Sequence, residues 1–184
     1  MFRKLLLYAA LLVLTQCSKC KNGPMPTDPT AQLPPATQTG ANTFGCLVNG
    51  QPYTPSGYNG TTNFAVLYDP GFQGGNLQVM TYRYPEKGVS KTQEVALGGI
   101  NINRVGTYQL GPTSGTGASY IDDYRLPPCN EYRSDRSNAF SKGRIVLTRL
   151  DLQAGIIAGT FEFTLSQPGC DTVKVTQGRF DKKF

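Results

Sequence analysis

The sequence predicts an all-β protein: an antiparallel β-sandwich or a partly open barrel of about 8–10 short strands. Three observations predict it. Apolar and polar residues alternate with a period of two in several separate runs. Gly 21 and Pro 13 among 184 residues call for frequent turns. Beyond the first 14 residues the apolar runs are short and none carries an amphipathic helical stripe.

The chain opens on an address. Met1 to Leu14, MFRKLLLYAALLVL, sets Arg3 and Lys4 before a ten-residue apolar core, too short to span a bilayer. Leu14-Thr15-Gln16-Cys17 follows and resembles the lipobox of bacterial lipoproteins. That resemblance implies cleavage before Cys17, acylation of its sulfur, and a membrane partner through the lipid. Multiple acyl chains give stable anchoring where one gives only marginal binding. An ordinary secretory signal with an incidental cysteine is the alternative, and either takes the protein out of the cytoplasm.

Residues 18–42 carry prolines at 24, 26, 29, 34 and 35. Proline lacks a backbone donor and disfavours helix in its predecessor, so this stretch is expected to be extended and unpacked. Wholly polyproline-like, it would reach up to about 75 Å at ~3.1 Å per residue. The expected division is therefore a signal peptide over 1–16, a lipidated Cys17 with a Pro-rich tether over 17–42, and one β domain over 43–184.

In the domain, Phe44, Cys46 and Val48 share one parity and Asn49-Gly50 supplies a hairpin turn. The return strand contains Pro52 and precedes Pro55, which makes it short and places it at an edge. NFAVLY (63–68) and LQVMTYRY (77–84) form a second hairpin, both arms rich in aromatic and β-branched residues. In VALGGININ, Val95 and Leu97 oppose Ile100 and Ile102 in parity, so Gly98-Gly99 is expected to form a register-resetting bulge. GTYQL (106–110) and ASYI (118–121) are further strands. Residues 122–142, DDYRLPPCNEYRSDRSNAFSK, read as the longest polar irregular stretch, where sites tend to be placed. Residues 143–181 form a closing meander broken at Gln153-Ala154-Gly155 and Gln167-Pro168-Gly169, with Gly159 interrupting the apolar row and Gly178 marking a bulge or bend.

LPPATQTGANTFGCLVNG near the start, with GIIAGTFEFTL and CDTVKVTQGRFD near the end, resembles uncharacterised lipoproteins of the Bacteroidota. The resemblance implies a β architecture and a lipid-anchored place in the cell envelope, at the outer membrane with the leaflet open. It transfers no catalytic residues.

With Cys17 lipidated, four cysteines remain and allow three full pairings. Cys20 lies on the tether beside the lipid, and Cys46 shares the parity of Phe44 and Val48 as a buried free thiol. Cys129–Cys170 is the favoured bridge, stapling the polar loop to the meander. The one CxxC pair, Cys17 with Cys20, includes the lipidation cysteine, which removes the zinc reading; no metal and no cofactor are expected.

The chain has no histidine, which removes Ser-His and Cys-His catalysis. From Thr43 onward 14 basic and 11 acidic residues are scattered without a stripe, so nucleic acid is not an expected partner. Asp122, Asp123, Tyr124, Arg125, Tyr132, Arg133, Asp135 and Arg136 gather in the 122–142 loop as a candidate binding site. Surface ion pairing accounts for the same charges, and adjacent Asp122 and Asp123 on a strand would face opposite ways. Nine tyrosines fall in the domain, most suited to half-buried strand positions and some able to stack on sugars or fill a partner's pocket. The expected function is a non-enzymatic envelope lipoprotein, binding or structural, with an envelope protein or polysaccharide as partner. A small carboxylate-dependent, glycan-acting hydrolase and a secreted protease inhibitor are the alternatives.

Overall fold

A computed structural model describes residues 28–184; the expected signal peptide, Cys17 and the first part of the tether lie outside the described residues. The described residues form eleven strands: β1 (Thr43–Val48), β2 (Gln51–Tyr53), β3 (Phe64–Asp69), β4 (Asn76–Arg83), β5 (Gln93–Gly99), β6 (Gly106–Leu110), β7 (Thr116–Asp122), β8 (Glu131–Arg133), β9 (Phe140–Asp151), β10 (Ile156–Ser166) and β11 (Val173–Lys183). They form two antiparallel sheets, one in the order β2-β1-β11-β10-β9-β6 and one in the order β3-β4-β5-β7-β8. The sheets pack face to face without closing into a barrel, so the sandwich reading holds. Among the described residues no helix is long and apolar enough to cross a membrane.

Local chemistry sets the turns and edges. Asn49 and Gly50 both take positive φ, 49° and 81°, the twist a two-residue hairpin needs. β2, with Pro52 inside it, is an edge strand. The inward residues of both sheets meet in one core, centred on Phe161 with the rings of Phe44, Phe163 and Phe180 at 5.3, 6.3 and 6.4 Å. Gly178 is the condition for that cluster, since a Cβ there would stand 2.4 Å from the Phe161 ring. The ladder slips by one residue beside it, between Phe161 and Phe163, and Gln177 takes φ 53° to absorb the bulge.

Three expectations change. The Gly98-Gly99 bulge is absent: β5 stays in regular register to Gly99 against both β4 and β7. The parity switch arises because the strand ends there and Asn101, at φ 58°, turns the chain so that Ile102 enters the core. The 122–142 stretch is less irregular than expected, since it contains β8 and the start of β9. It is pinned by a Cys129–Cys170 disulfide with Cα atoms 5.4 Å apart, while Cys46 is a buried free thiol, both as the cysteine reading expected.

The third change concerns the tether. Residues 28–42 are packed on the larger sheet and are not free. Leu33 is buried, Pro34 covers Gly45, and the Pro34 carbonyl accepts from Arg179. The Asp181 carboxylate, 1% exposed, accepts from the backbone N–H of Thr39 (2.8 Å), Gly40 (2.8 Å) and Ala41 (3.1 Å) and from the Thr37 hydroxyl (2.7 Å). Arg149 donates to the Gln38 carbonyl beside this cage. An extended proline-bearing chain meets a carboxylate that satisfies its otherwise unpaired N–H groups, and that fixes it in place.

Candidate functional site

The polar loop expected to carry function is assembled from charges that engage one another. Asp122 ends β7 with its side chain inward and only 5% exposed; it accepts from the Tyr120 hydroxyl (3.2 Å) and the Tyr124 N–H (3.2 Å) and faces the Arg125 guanidinium at 3.3 Å. Burial, and then the Asp122 carboxylate, push the Tyr120 phenol well above its ordinary range. Arg125 donates on to the Tyr132 hydroxyl at 3.3 Å and lies over its ring. Asp123, in the turn after β7, is exposed and accepts from the N–H and hydroxyl of Thr92, both at 2.9 Å. Tyr124 sits under Lys91, and its phenol is raised by burial and then by the carboxylates of Glu86 and Asp122.

Around β8, Arg133 grips Asp135 through two bonds of 3.0 and 2.9 Å, and this hydrogen bonding holds the Asp135 carboxyl below its usual value. Arg136 pairs with Glu131 and reaches Gln167 at 3.1 Å; the Gln167 amide donates to the Pro128 carbonyl at 2.7 Å, next to the disulfide. Every candidate residue of the loop is thus present at one edge of the smaller sheet. Asp122 and Asp135 do not converge, while Glu131 and Asp135 both reach Arg133, at 3.7 and 2.9 Å. Ser134 stands abreast of Ala118, so Asp135 follows at the end of β7 opposite to Asp122. Five residues of strand separate the two ends, about 17 Å at ~3.3 Å per residue. A glycosidase pair needs roughly 5–9.5 Å. Among the described residues no three His, Cys, Asp or Glu side chains gather as a metal cage.

A neighbouring cleft of about 610 Å³ lies between residues 56–60 and 84–90, with Tyr58 and Tyr84 in its walls. The first loop is built on Tyr82: its hydroxyl donates to the Thr61 carbonyl (2.6 Å) and accepts from the Asn59 N–H (3.2 Å), and Asn63 donates to the Gly57 carbonyl (2.8 Å). Gly57, at φ 84°, lies so close to Tyr84 that a Cβ would stand 2.6 Å from the ring. Tyr82 meets Tyr84 edge to face at 5.9 Å. Tyr58 is 77% exposed while its hydroxyl is tied to the Gly60 carbonyl at 3.0 Å. Glu86 and Lys87 line the same cleft and are exposed, with no ion-pair partner among the described residues. The sequence did not single out this place. Its signal was the pair of tyrosines flanked by Gly57 and Gly88, and it becomes visible only when the two loops are seen to meet. Most other tyrosines serve the sandwich, with Tyr53, Tyr82, Tyr120 and Tyr132 buried.

A second depression of about 510 Å³ crosses the outer face of the smaller sheet, lined by Ala96, Gly98, Gly117 and Ser119 with Gln78 and Met80, and edged by Arg133 and Asp135. Its lining has no aromatic side chain.

No curated protein and no solved structure matches this chain. Residues 73–182, more than half of the chain and reaching from the β3–β4 turn almost to the end of β11, match the model of a domain of unknown function, DUF6252, and the chain belongs to that family.

Proposed function

We propose that this protein is a non-enzymatic, lipid-anchored module of the bacterial cell envelope, of the kind found in the Bacteroidota. It holds a partner of the envelope, protein or polysaccharide, at the loop end of its sandwich. Residues 1–16 serve as the signal peptide and Cys17 as the acylated residue that joins the protein to the outer membrane. The N-terminal text supports the anchor: two basic residues, a short apolar core and a cysteine three positions after a leucine.

One observation carries the binding reading over the hydrolase. The carboxylates of the 122–136 region are each engaged by a neighbouring arginine, hydroxyl or N–H, and Asp122 and Asp135 stand at opposite ends of β7. Carboxylates held that way fix a loop; they do not flank a scissile bond.

Metabolic labelling with a fatty acid tests the anchor. Label on the wild-type chain and none on Cys17→Ser is the expected result, and label that persists in Cys17→Ser refutes it. For the non-enzymatic half, a glycan hydrolysis lost in both Asp122→Ala and Asp135→Ala, in protein shown to be folded, would restore the hydrolase.

A further inference from the structure

We propose that the cleft between residues 56–60 and 84–90 is a glycan-binding site, taking an uncharged hexopyranose residue of a polysaccharide against Tyr58 and Tyr84. The inference rests on the reading of the protein as an envelope binding module and names the ligand class and the place.

Four features of the cleft fit a sugar ring. The first is an aromatic surface held open. Tyr58 is 77% exposed, yet its hydroxyl is fixed on its own loop by the bond to the Gly60 carbonyl, which leaves the ring face available. A phenol ring presents an apolar, electron-rich face with few rotatable bonds, suited to the C–H face of a pyranose. The second is a rigid frame. The 56–63 loop is cross-braced through Tyr82, Asn59 and Asn63, and Tyr84 is seated on Gly57, so little order has to be gained on binding.

The third feature is the rim. Glu86 and Lys87 lie side by side, one acceptor-only and one donor-only, with Ser56 and Ser90 able to do both. Sugar hydroxyls alternate donor and acceptor roles and match such a mixed set. The rim's charge sums to zero, which gives no preference for an anionic chain. Four further basic residues, Lys142, Arg144, Lys174 and Arg179, stand on the outer face of the larger sheet, where Arg144 pairs with Glu162. The fourth is size. At about 610 Å³ the cleft falls in the range of small-ligand sites and has room for one or two sugar rings with part of each exposed. A protein partner's apolar anchor would instead meet a rim of charges and hydroxyls with Val89 and Pro85 as its aliphatic contacts.

The test uses the full-length chain in detergent micelles, titrated by calorimetry with soluble xylo-, cello-, manno- and chito-oligosaccharides and, as an anionic control, heparin. Binding by the pentose-based xylo-oligosaccharides alone overturns the hexopyranose assignment. At least one of the hexose-based oligosaccharides (cello-, manno- or N-acetylated chito-) is expected to bind at millimolar concentration or below. Tyr58→Ala, at a side chain too exposed to threaten folding, is expected to weaken it about tenfold. Glu86→Gln and Lys87→Met are expected to weaken it several-fold, and Asp135→Ala to leave it unchanged. Binding that is indifferent to Tyr58→Ala and Glu86→Gln overturns the site. Preference for heparin, or no binding by any uncharged oligosaccharide, overturns the ligand class. A chain that binds none of them yet takes up fatty-acid label at Cys17 leaves the anchored-module reading standing, so the two failures are distinguishable.

Discussion

The loop from Asp122 to Arg136 and the cleft between residues 56–60 and 84–90 are neighbours, joined where Asp123 caps Thr92 and where Tyr124 approaches Glu86. Both are rich in charge and in tyrosine, yet they use those groups in opposite ways. In the loop, carboxylates and guanidinia face each other, and its tyrosines are withdrawn from solvent, Tyr132 buried and Tyr124 half-buried under Lys91. In the cleft, Glu86, Lys87 and Tyr58 face solvent, and the 56–63 loop that carries Tyr58 is cross-braced through Tyr82 and Asn63. Density of charge along a sequence marks where a chain without regular structure is fastened. Groups left open to a ligand occur where the fastening is done by something else.

Five variants would break or sharpen that contrast. The largest effect belongs to the staple of the loop. Cys129→Ser with Cys170→Ser reopens a closure of 41 residues and is expected to lower stability by about 4 kcal/mol on the chain-entropy estimate. Denaturant unfolding measures it, and a folded double variant that has lost its ligand would make the loop part of the binding surface. Next, Asp181→Ala removes the acceptor of three N–H groups and one hydroxyl at a buried position, with an expected loss of about 3 kcal/mol. Faster amide exchange at Thr39, Gly40 and Ala41 would report it directly. Burial alone would raise the Asp181 pKa, but the Thr37 hydroxyl and the N–H groups of Ala41, Thr39 and Gly40 outweigh it and hold the carboxyl below its usual value. The sign follows: this stability is fully present above the unfolded value near ~3.9 and is lost as pH falls through the depressed folded value. Acid should therefore expose residues 28–42 to proteolysis before it unfolds the sandwich.

Asp122→Ala strips a buried acceptor from Tyr120, Tyr124 and Arg125 and is expected to cost about 2 kcal/mol in thermal or denaturant unfolding, with little change in ligand affinity. Asp135→Ala breaks an exposed pair and is expected to cost under about 1 kcal/mol. Glu86→Ala is the smallest in stability, within about 0.5 kcal/mol, and should register in binding instead. If Asp135 and Glu86 exchanged these roles, the contrast between the two regions would collapse.

Much of the fold was legible because its cause is local. Asn49-Gly50 names its turn, the parity of the closing meander names its buried face, and Gly178 marks a bulge that only a residue without a side chain allows beside Phe161. Cys129 and Cys170 flank the same meander, so their pairing followed from neighbourhood. β8 was missed because Glu131 and Arg133 bracket a single inward residue, Tyr132, and three residues carry no period. The docking of residues 28–42 was hidden for a different reason. Their prolines report an extended chain but say nothing of its receptor, a carboxylate near the far end of the sequence. The cleft was equally out of reach, being shared between loops that follow different strands.

With the chain anchored at Cys17 as proposed, the docked residues 28–42 would lie in the path of any load between membrane and sandwich. Thr43 stands opposite Asp181, so both chain ends leave the sandwich on neighbouring strands at one end. Tension applied at residue 28 falls first on Leu33 and Pro34, then on the Asp181 cage at residues 37–41, and only then on the ladder between β1 and β11. The arm acts as a fuse: peeled away, its fifteen residues release up to about 50 Å of chain at ~3.3 Å per residue while every strand stays paired. Shear at a crowded surface would lengthen the connection before it could unfold the domain, and re-docking would shorten it again.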